Sequence, residues 1–392
     1  MTMPSLSPST PLLATPAPTR WSRLAAELTG GTRTRWLLVA FLLCAIVPAF
    51  FSWPEFPLPP DIRRAWIEHW DQVVQFKVDD PAHDYTQEYP DGKNEAKRNF
   101  RIAVPLLAYL THSGMTGVHV ARFTLQAVLI ICVLLAAERA AGDRLVALAA
   151  ALAIAGTYTG TSVWRDVCRW FDNCTHAFLA LALILRPPWL AGGAVVLAAF
   201  TDERALLIVP LLILFHWFTG SPRRTLIGLA AGIPGYVAIR LAFALAFHLR
   251  MPTTGIAEWD IFFINTDNVV TGYWFALEGG WLLVAIAIWR GWASGRSRAG
   301  LALALATALP VVAAMGVGDF TRSAAYAFPA VLAALALLRR SDLIAPAELR
   351  TLAVVAAAVS LLTPNVFVMR NVFHESSVPV RLLLGWLQTK MA

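Results

Sequence analysis

From Trp36 to Val368 the chain alternates apolar runs with short charged segments, a pattern that predicts helices crossing or lying in a membrane. The stretch Phe200 to Pro210 fixes how the runs are divided. Asp202, Glu203 and Arg204 stand together between two apolar runs. In one continuous helix from Trp189 to Phe218 these charges would lie near mid-membrane, at roughly 2.5 to 3.5 kcal/mol each. Two short helices meeting at a membrane face, with the triplet at the turn, avoid that cost.

The remaining elements follow in order. Trp36 to Trp53 predicts a first span, kinked at Pro48. Beyond it, Asp61 follows Pro59-Pro60 as an N-cap. Ile62, Ala65, Trp66, Trp70, Val73 and Val74 then recur at helical spacing, which predicts an amphipathic helix lying on the membrane surface. Ile102 to Leu110 is too short to span and reads as a second interfacial or re-entrant helix. Further spans are Val118–Ala137, Leu145–Val163, Cys174–Leu185, Trp189–Phe200, Ala205–Phe218, Thr225–Leu249, Trp274–Trp289, Leu301–Val317, Ala324–Leu338 and Leu352–Val368. The expected fold is all-α and polytopic, with about eleven transmembrane helices oriented by their loop charges. One membrane domain covers 36–369, its first outer loop being 52–117, between a cytoplasmic disordered tail (1–35) and a C-terminal tail (370–392). No apolar-poor stretch is long enough for a separate soluble domain.

Composition agrees: 57% of the 392 residues are hydrophobic, 15% are charged, and the mean hydropathy is +0.59, outside the range of soluble domains. The net charge of +7 comes from loop arginines that orient the spans, so nucleic acid is not an expected partner. This topology places fifteen Lys or Arg against five Asp or Glu in the inner segments, while the outer stretch Ser52–Phe100 holds ten acidic residues against six basic ones. Merging the runs around the triplet would turn Arg223-Arg224, Arg296-Arg298 and Arg339-Arg340 outward, against the positive-inside rule. The arginine-bearing N-terminal tail, without a small-residue cleavage site, reads as an uncleaved signal anchor with a cytoplasmic N-terminus in a bacterial inner membrane. The four cysteines do not make a disulfide framework, and Cys168 and Cys174 read as unpaired structural thiols.

Four charged elements reach one outer, periplasmic face: the first outer loop, Arg165 to Asp172, Asp202 to Arg204, and Asp319 to Arg322. Each mixes carboxylates with arginines, the combination that deprotonates a hydroxyl and holds an anion. Arg165, Arg169 and Asp172 follow at spacings of four and three, which predicts one helical face. His176 reads as a packed helical histidine. The many carboxylates admit a divalent metal, but no spacing demands one.

The first span, the acidic outer loop, R-x-x-x-P-L-L at Arg101 to Leu107, the D-E-R-A-L-L run from Asp202 and D-x-T-R ending at Arg322 together resemble bacterial integral-membrane glycosyltransferases of the GT-C superfamily. The resemblance implies a polyprenyl-phosphate-linked sugar donor, a glycan, lipid or protein acceptor, and a first-loop carboxylate as general base. Asp61 is the first candidate, Asp71 the second, and Asp79, Asp80 and Asp84 are less favoured. Arg98, Arg101, Arg165, Arg169, Asp172, Asp202, Glu203, Arg204, Asp319 and Arg322 form the implied substrate-binding set. The chain departs from the family in Phe100-Arg101, where Tyr-Arg is usual, and in Asp202-Glu203-Arg204, where Arg-Glu-Thr is usual. Two rival readings are a transporter or flippase, which should show ionisable residues deep in its helices, and a noncatalytic scaffold for envelope assembly. No such deep ionisable residue is evident in the sequence pattern.

Overall fold

A computed structural model describes residues 26–27, 29–51, 60–89, 95–166, 169–250 and 269–363, with a few positions between and beyond them. The N-terminal tail before residue 26, Cys168 and most of the chain after 374 lie outside the described residues. The helices are α1 (Arg33–Phe51), α2 (Pro60–Asp79), α3 (Ala103–Leu110), α4 (Gly114–Ala141), α5 (Arg144–Gly156), α6 (Tyr158–Arg165), α7 (Asp172–Ile184) and α8 (Pro188–Ala199). They continue as α9 (Val209–Phe218), α10 (Arg223–Ala246), α11 (Val269–Leu277), α12 (Gly280–Ala293), α13 (Ser297–Met315), α14 (Phe320–Ala325), α15 (Pro329–Arg340) and α16 (Pro346–Leu362). One short antiparallel pair, β1 (Val366–Met369) with β2 (Asn371–His374), completes the described elements.

Among the described residues four segments are long and apolar enough to cross a membrane: α4, α10, α13 and the segment Phe320–Arg340. The number rises to six if the bent pairs α5–α6 and α11–α12 each count as one span. That falls below the eleven expected from loop charges. The difference lies in short apolar helices such as α7 and α8, of 13 and 12 residues, which reach only about 18 to 20 Å at 1.5 Å per residue.

The stretch Phe320–Leu338 is wholly enclosed, whereas α10 is mostly exposed; the first is the centre of the bundle and the second its rim. α8 and α10 meet through Gly192, Gly228 and Gly232, where a Cβ on Gly228 would lie 2.3 Å from the Pro188 carbonyl oxygen. Small residues let two backbones approach this closely in a bundle without a hydrophobic drive between helices.

The expected break at the charged triplet is present. α8 ends at Ala199, and a 3₁₀ turn, Glu203–Ile208, follows, capped by Asp202, whose side chain accepts from Arg204 N. The apolar stripe of α2 behaves differently from the expectation of a helix laid on lipid. Trp70, Val73 and Val74 are buried in the protein, where α2 packs on α3 and α4; Trp66 and Phe76 are exposed.

Candidate functional site

The site is assembled around the connection from α6 to α7, of which Asp166 and Arg169 to Phe171 are described. The Asp166 carboxylate accepts from Trp170 N at 2.8 Å and Phe171 N at 2.7 Å. Arg122 of α4 anchors the same loop by donating to the Val163 and Asp166 carbonyls. Closure this tight puts Arg169 and Phe171 at φ of 55° and 63°, left-handed conformations that cost non-glycine residues on the order of 1 kcal/mol or more. The strain is offset by the hydrogen bonds to Asp166, and the loop presents Arg169 and Trp170 toward α2.

Arginines gather on Trp170. The guanidinium carbons of Arg98, Arg101 and Arg322 lie 4.3, 4.7 and 5.0 Å from its ring centre, and Arg98 also sits 4.1 Å from the Trp70 ring. Cation–π contacts between desolvated groups are worth about 2 kcal/mol. Arg98 further donates to the Arg169 carbonyl at 3.1 Å.

Beneath this layer lie two carboxylates with no solvent exposure, Asp172 and Asp202. Asp202 accepts two hydrogen bonds from the Arg204 guanidinium, at 2.8 and 2.6 Å, and stands 3.0 Å from Arg101 Nη1. Burial alone would raise the Asp202 carboxyl, but Arg101 and Arg204 overcome it and hold the group well below the usual carboxylate range. Asp172, the first residue of α7, accepts from Tyr158 OH at 2.8 Å and Tyr326 OH at 2.9 Å. It also lies 3.1 Å from Arg322 Nε and 3.7 Å from Arg204 Nη2. Arg204 links both acids and donates to Ser323.

The expected residues separate into two groups. Arg98, Arg101, Arg169, Asp172, Asp202, Arg204, Asp319 and Arg322 converge as the sequence reading requires, and Glu203 reaches the rim, 3.9 Å from Arg101. Arg165 ends α6 and its charge bears on Glu278; the turn made by Asp166, Trp170 and Phe171 interrupts the helical face expected for Arg165, Arg169 and Asp172. Arg322 is paired at 2.7 Å with Asp319 as well as with Asp172, so its guanidinium is engaged on both sides.

Of the carboxylates favoured as base, Asp61 is exposed in the first turn of α2. Ten residues separate it from Asp71, about 15 Å along the axis, so it lies away from the cluster. Asp71 sits at the edge, accepting from Arg169 Nε at 2.6 Å and Nη2 at 3.3 Å. Asp84 caps a 3₁₀ turn and accepts from Thr86 and Asn99. His176 is packed among Tyr158, Tyr326 and Phe328. Among the described residues no three His, Cys, Asp or Glu converge as metal ligands.

A small cavity of about 10 Å³ opens between α2, the start of α3 and the loop; it is lined by Val74, Lys77, Tyr85, Arg98, Arg101, Pro105, Arg169 and Phe171. Its lining has four cationic side chains and no carboxylate. Two buried donors of Arg101, Nε and Nη1, have no well-aligned hydrogen-bond acceptor, although Nη1 is within ion-pair distance of Asp202. Such a space takes about one water, or one oxygen of a larger anion. Burial pushes the Lys77 ammonium down to about 8, with Asp80 and Asp84 opposing.

Lys77, Tyr158, Trp170 and Tyr326 were not singled out by the sequence reading. Tyr158 and Tyr326 carry a signal, being hydroxyls in apolar surroundings, but only the fold shows that both reach Asp172. No protein-family model, curated protein or solved structure matches this chain.

Proposed function

We propose that this chain is a glycosyltransferase of the bacterial inner membrane that moves a sugar from a polyprenyl-phosphate donor to a glycan, lipid or protein acceptor on the periplasmic side. The observation that carries the reading is the cavity lined by Lys77, Arg98, Arg101 and Arg169 without an acid, beside unsatisfied Arg101 donors. Buried guanidinium donors lacking acceptors are costly unless an anion takes them, and a phosphate at headgroup depth meets that need. The sugar's anomeric carbon would be attacked by an acceptor hydroxyl whose proton passes to Asp71, while the cations stabilise the departing polyprenyl phosphate. Asp172 and Asp202 then act as positioning residues, fixing Arg101, Arg204 and Arg322 beneath the cavity.

Binding tests the reading directly. In nanodiscs the protein should bind undecaprenyl phosphate and not undecaprenol, and Arg98→Gln should weaken binding about 10- to 100-fold, the loss of a charged hydrogen bond. Equal affinity for the uncharged alcohol would refute it. Lys77 adds a pH signature. An amine is charged below its pKa, so affinity should fall as pH rises from 7 through about 8 toward 9. Lys77→Arg should flatten that dependence, because arginine stays charged.

The same reading keeps the N-terminus cytoplasmic and the eleven passes, with the short helices crossing inside the bundle rather than against lipid. A cysteine at exposed Thr111 should react with a membrane-impermeant thiol reagent in spheroplasts, and one at exposed Arg223 should react only after permeabilisation. The reverse pattern would place the cavity in the cytoplasm.

One observation favours the rival transporter reading. Glu278, which falls within the expected span Trp274–Trp289 and was passed over in the sequence pattern, is buried at the 95° bend between α11 and α12, the kind of discontinuous helix that transporters use. Sugar transfer by the purified protein decides between them.

A further inference from the structure

Glu278 stands between two apolar helices, α11 and α12, in the turn where the chain bends by 95°. Its side chain is 1% exposed, Oε2 has no hydrogen-bond partner, and its φ is 47°. The neighbouring Gly279 explains the enclosure. A Cβ there would lie 1.9 Å from the Ala356 carbonyl oxygen, so α16 presses its backbone onto the bend, and Gly279 N donates to Ser360 Oγ at 3.1 Å. Nearby donors are committed elsewhere: Trp281 Nε1 donates to the Tyr273 carbonyl at 2.6 Å, and Tyr273 OH to the Val311 carbonyl at 2.9 Å. The charged group that bears on Glu278 is Arg165, from α6; α16 offers the Ser360 hydroxyl.

We propose that Glu278 is a proton-binding site of the membrane domain, its carboxyl taking up and releasing a hydrogen ion at the bend. An ionised carboxylate without full pairing is expensive in such surroundings and neutralises instead, and an ionisable group among apolar helices is a functional position by default. The backbone strain at the same residue is of the kind retained where it serves a site. A proton fits better than a metal cation, since no three potential ligands converge among the described residues and the Arg165 charge opposes a second cation. The bend is also one helix from the arginine cluster, because α11 packs on α14, whose Arg322 pairs with Asp172. This inference is independent of the glycosyl-transfer reading.

Infrared spectroscopy reads the proton itself. Purified protein with ¹³C-labelled glutamate carboxyls should show, at neutral pH, a protonated carboxylic C=O band that shifts with the label and is lost in Glu278→Gln. Where that variant does not fold, Glu278→Asp removes the label while keeping a carboxyl, and the labelled band should again be lost. Glu278 is the one buried glutamate among the described residues, so a wild type without the band decides against the proposal, and the variants assign a band that is present. Absence of a labelled band in the wild type, or its persistence in either variant, would overturn the proposal.

Discussion

Asp202→Asn should lower stability by about 3 to 5 kcal/mol, the usual consequence of removing one partner from a buried ion pair. The amide keeps the shape and one acceptor oxygen, so the turn cap to Arg204 N can persist. What it removes is the countercharge for Arg101 and Arg204, neither of which has another carboxylate equally close among the described residues: Arg204 lies 3.7 Å from Asp172, which is already shared with Arg322 at 3.1 Å, and Arg101 lies 3.9 Å from Glu203. Thermal unfolding in detergent checks this, and a loss below about 1 kcal/mol, the scale of a surface pair, would show that charge is not what holds the turn. The pH dependence has a definite sign. Asp202 stays ionised in the folded chain at pH values where an unfolded aspartate protonates, so the unfolded state binds the extra proton. Stability is then present above about pH 4 and falls as the pH drops below it. In Asp202→Asn this part of the acid sensitivity should disappear.

Much of this site was legible because its signals are local. Three charges in an apolar run are costly wherever they are buried unpaired, so the break between α8 and the 3₁₀ turn could be placed from Asp202, Glu203 and Arg204 alone. Convergence of residues from the segment 52–117 with Arg169, Asp172, Asp202 and Arg322 followed from assigning successive ends to one face. The details that failed depend on contacts that residue spacing alone does not show. Helical spacing of Arg165, Arg169 and Asp172 assumed that the helix continues, but the Asp166 carboxylate captures the Trp170 and Phe171 N–H groups and turns the chain. The stripe on α2 has the period of a surface helix, yet a period cannot say whether lipid or protein covers it. Here Trp70 meets Arg98 and Trp170. The number of spans is not fixed by either measure, because charge bias orients segments without measuring their length, and length alone finds four to six among the described residues.

Asp71→Asn should reduce sugar transfer about 10²- to 10⁴-fold, the range for loss of a general base, while leaving the protein folded. Asp71 is the first-loop carboxylate that touches a residue lining the cavity: Arg169 holds both its oxygens, at 2.6 and 3.3 Å. Its side chain is 28% exposed, open enough to meet an acceptor hydroxyl. A part-exposed pair contributes about 1 kcal/mol or less to stability, so unfolding should move little, in contrast to Asp202→Asn. The guanidinium orients the carboxylate, and the amide substitute can keep one of those hydrogen bonds but cannot take a proton. Asp61→Asn should transfer sugar at the parent rate, since Asp61 is exposed and about 15 Å away along α2. Transfer of a radiolabelled sugar from its polyprenyl-phosphate carrier by each purified variant makes the comparison, with donor binding measured alongside. Lost turnover at unchanged donor affinity identifies Asp71 as the base, since removal of a phosphate ligand would weaken binding as well; full turnover in Asp71→Asn would exclude it from the chemistry.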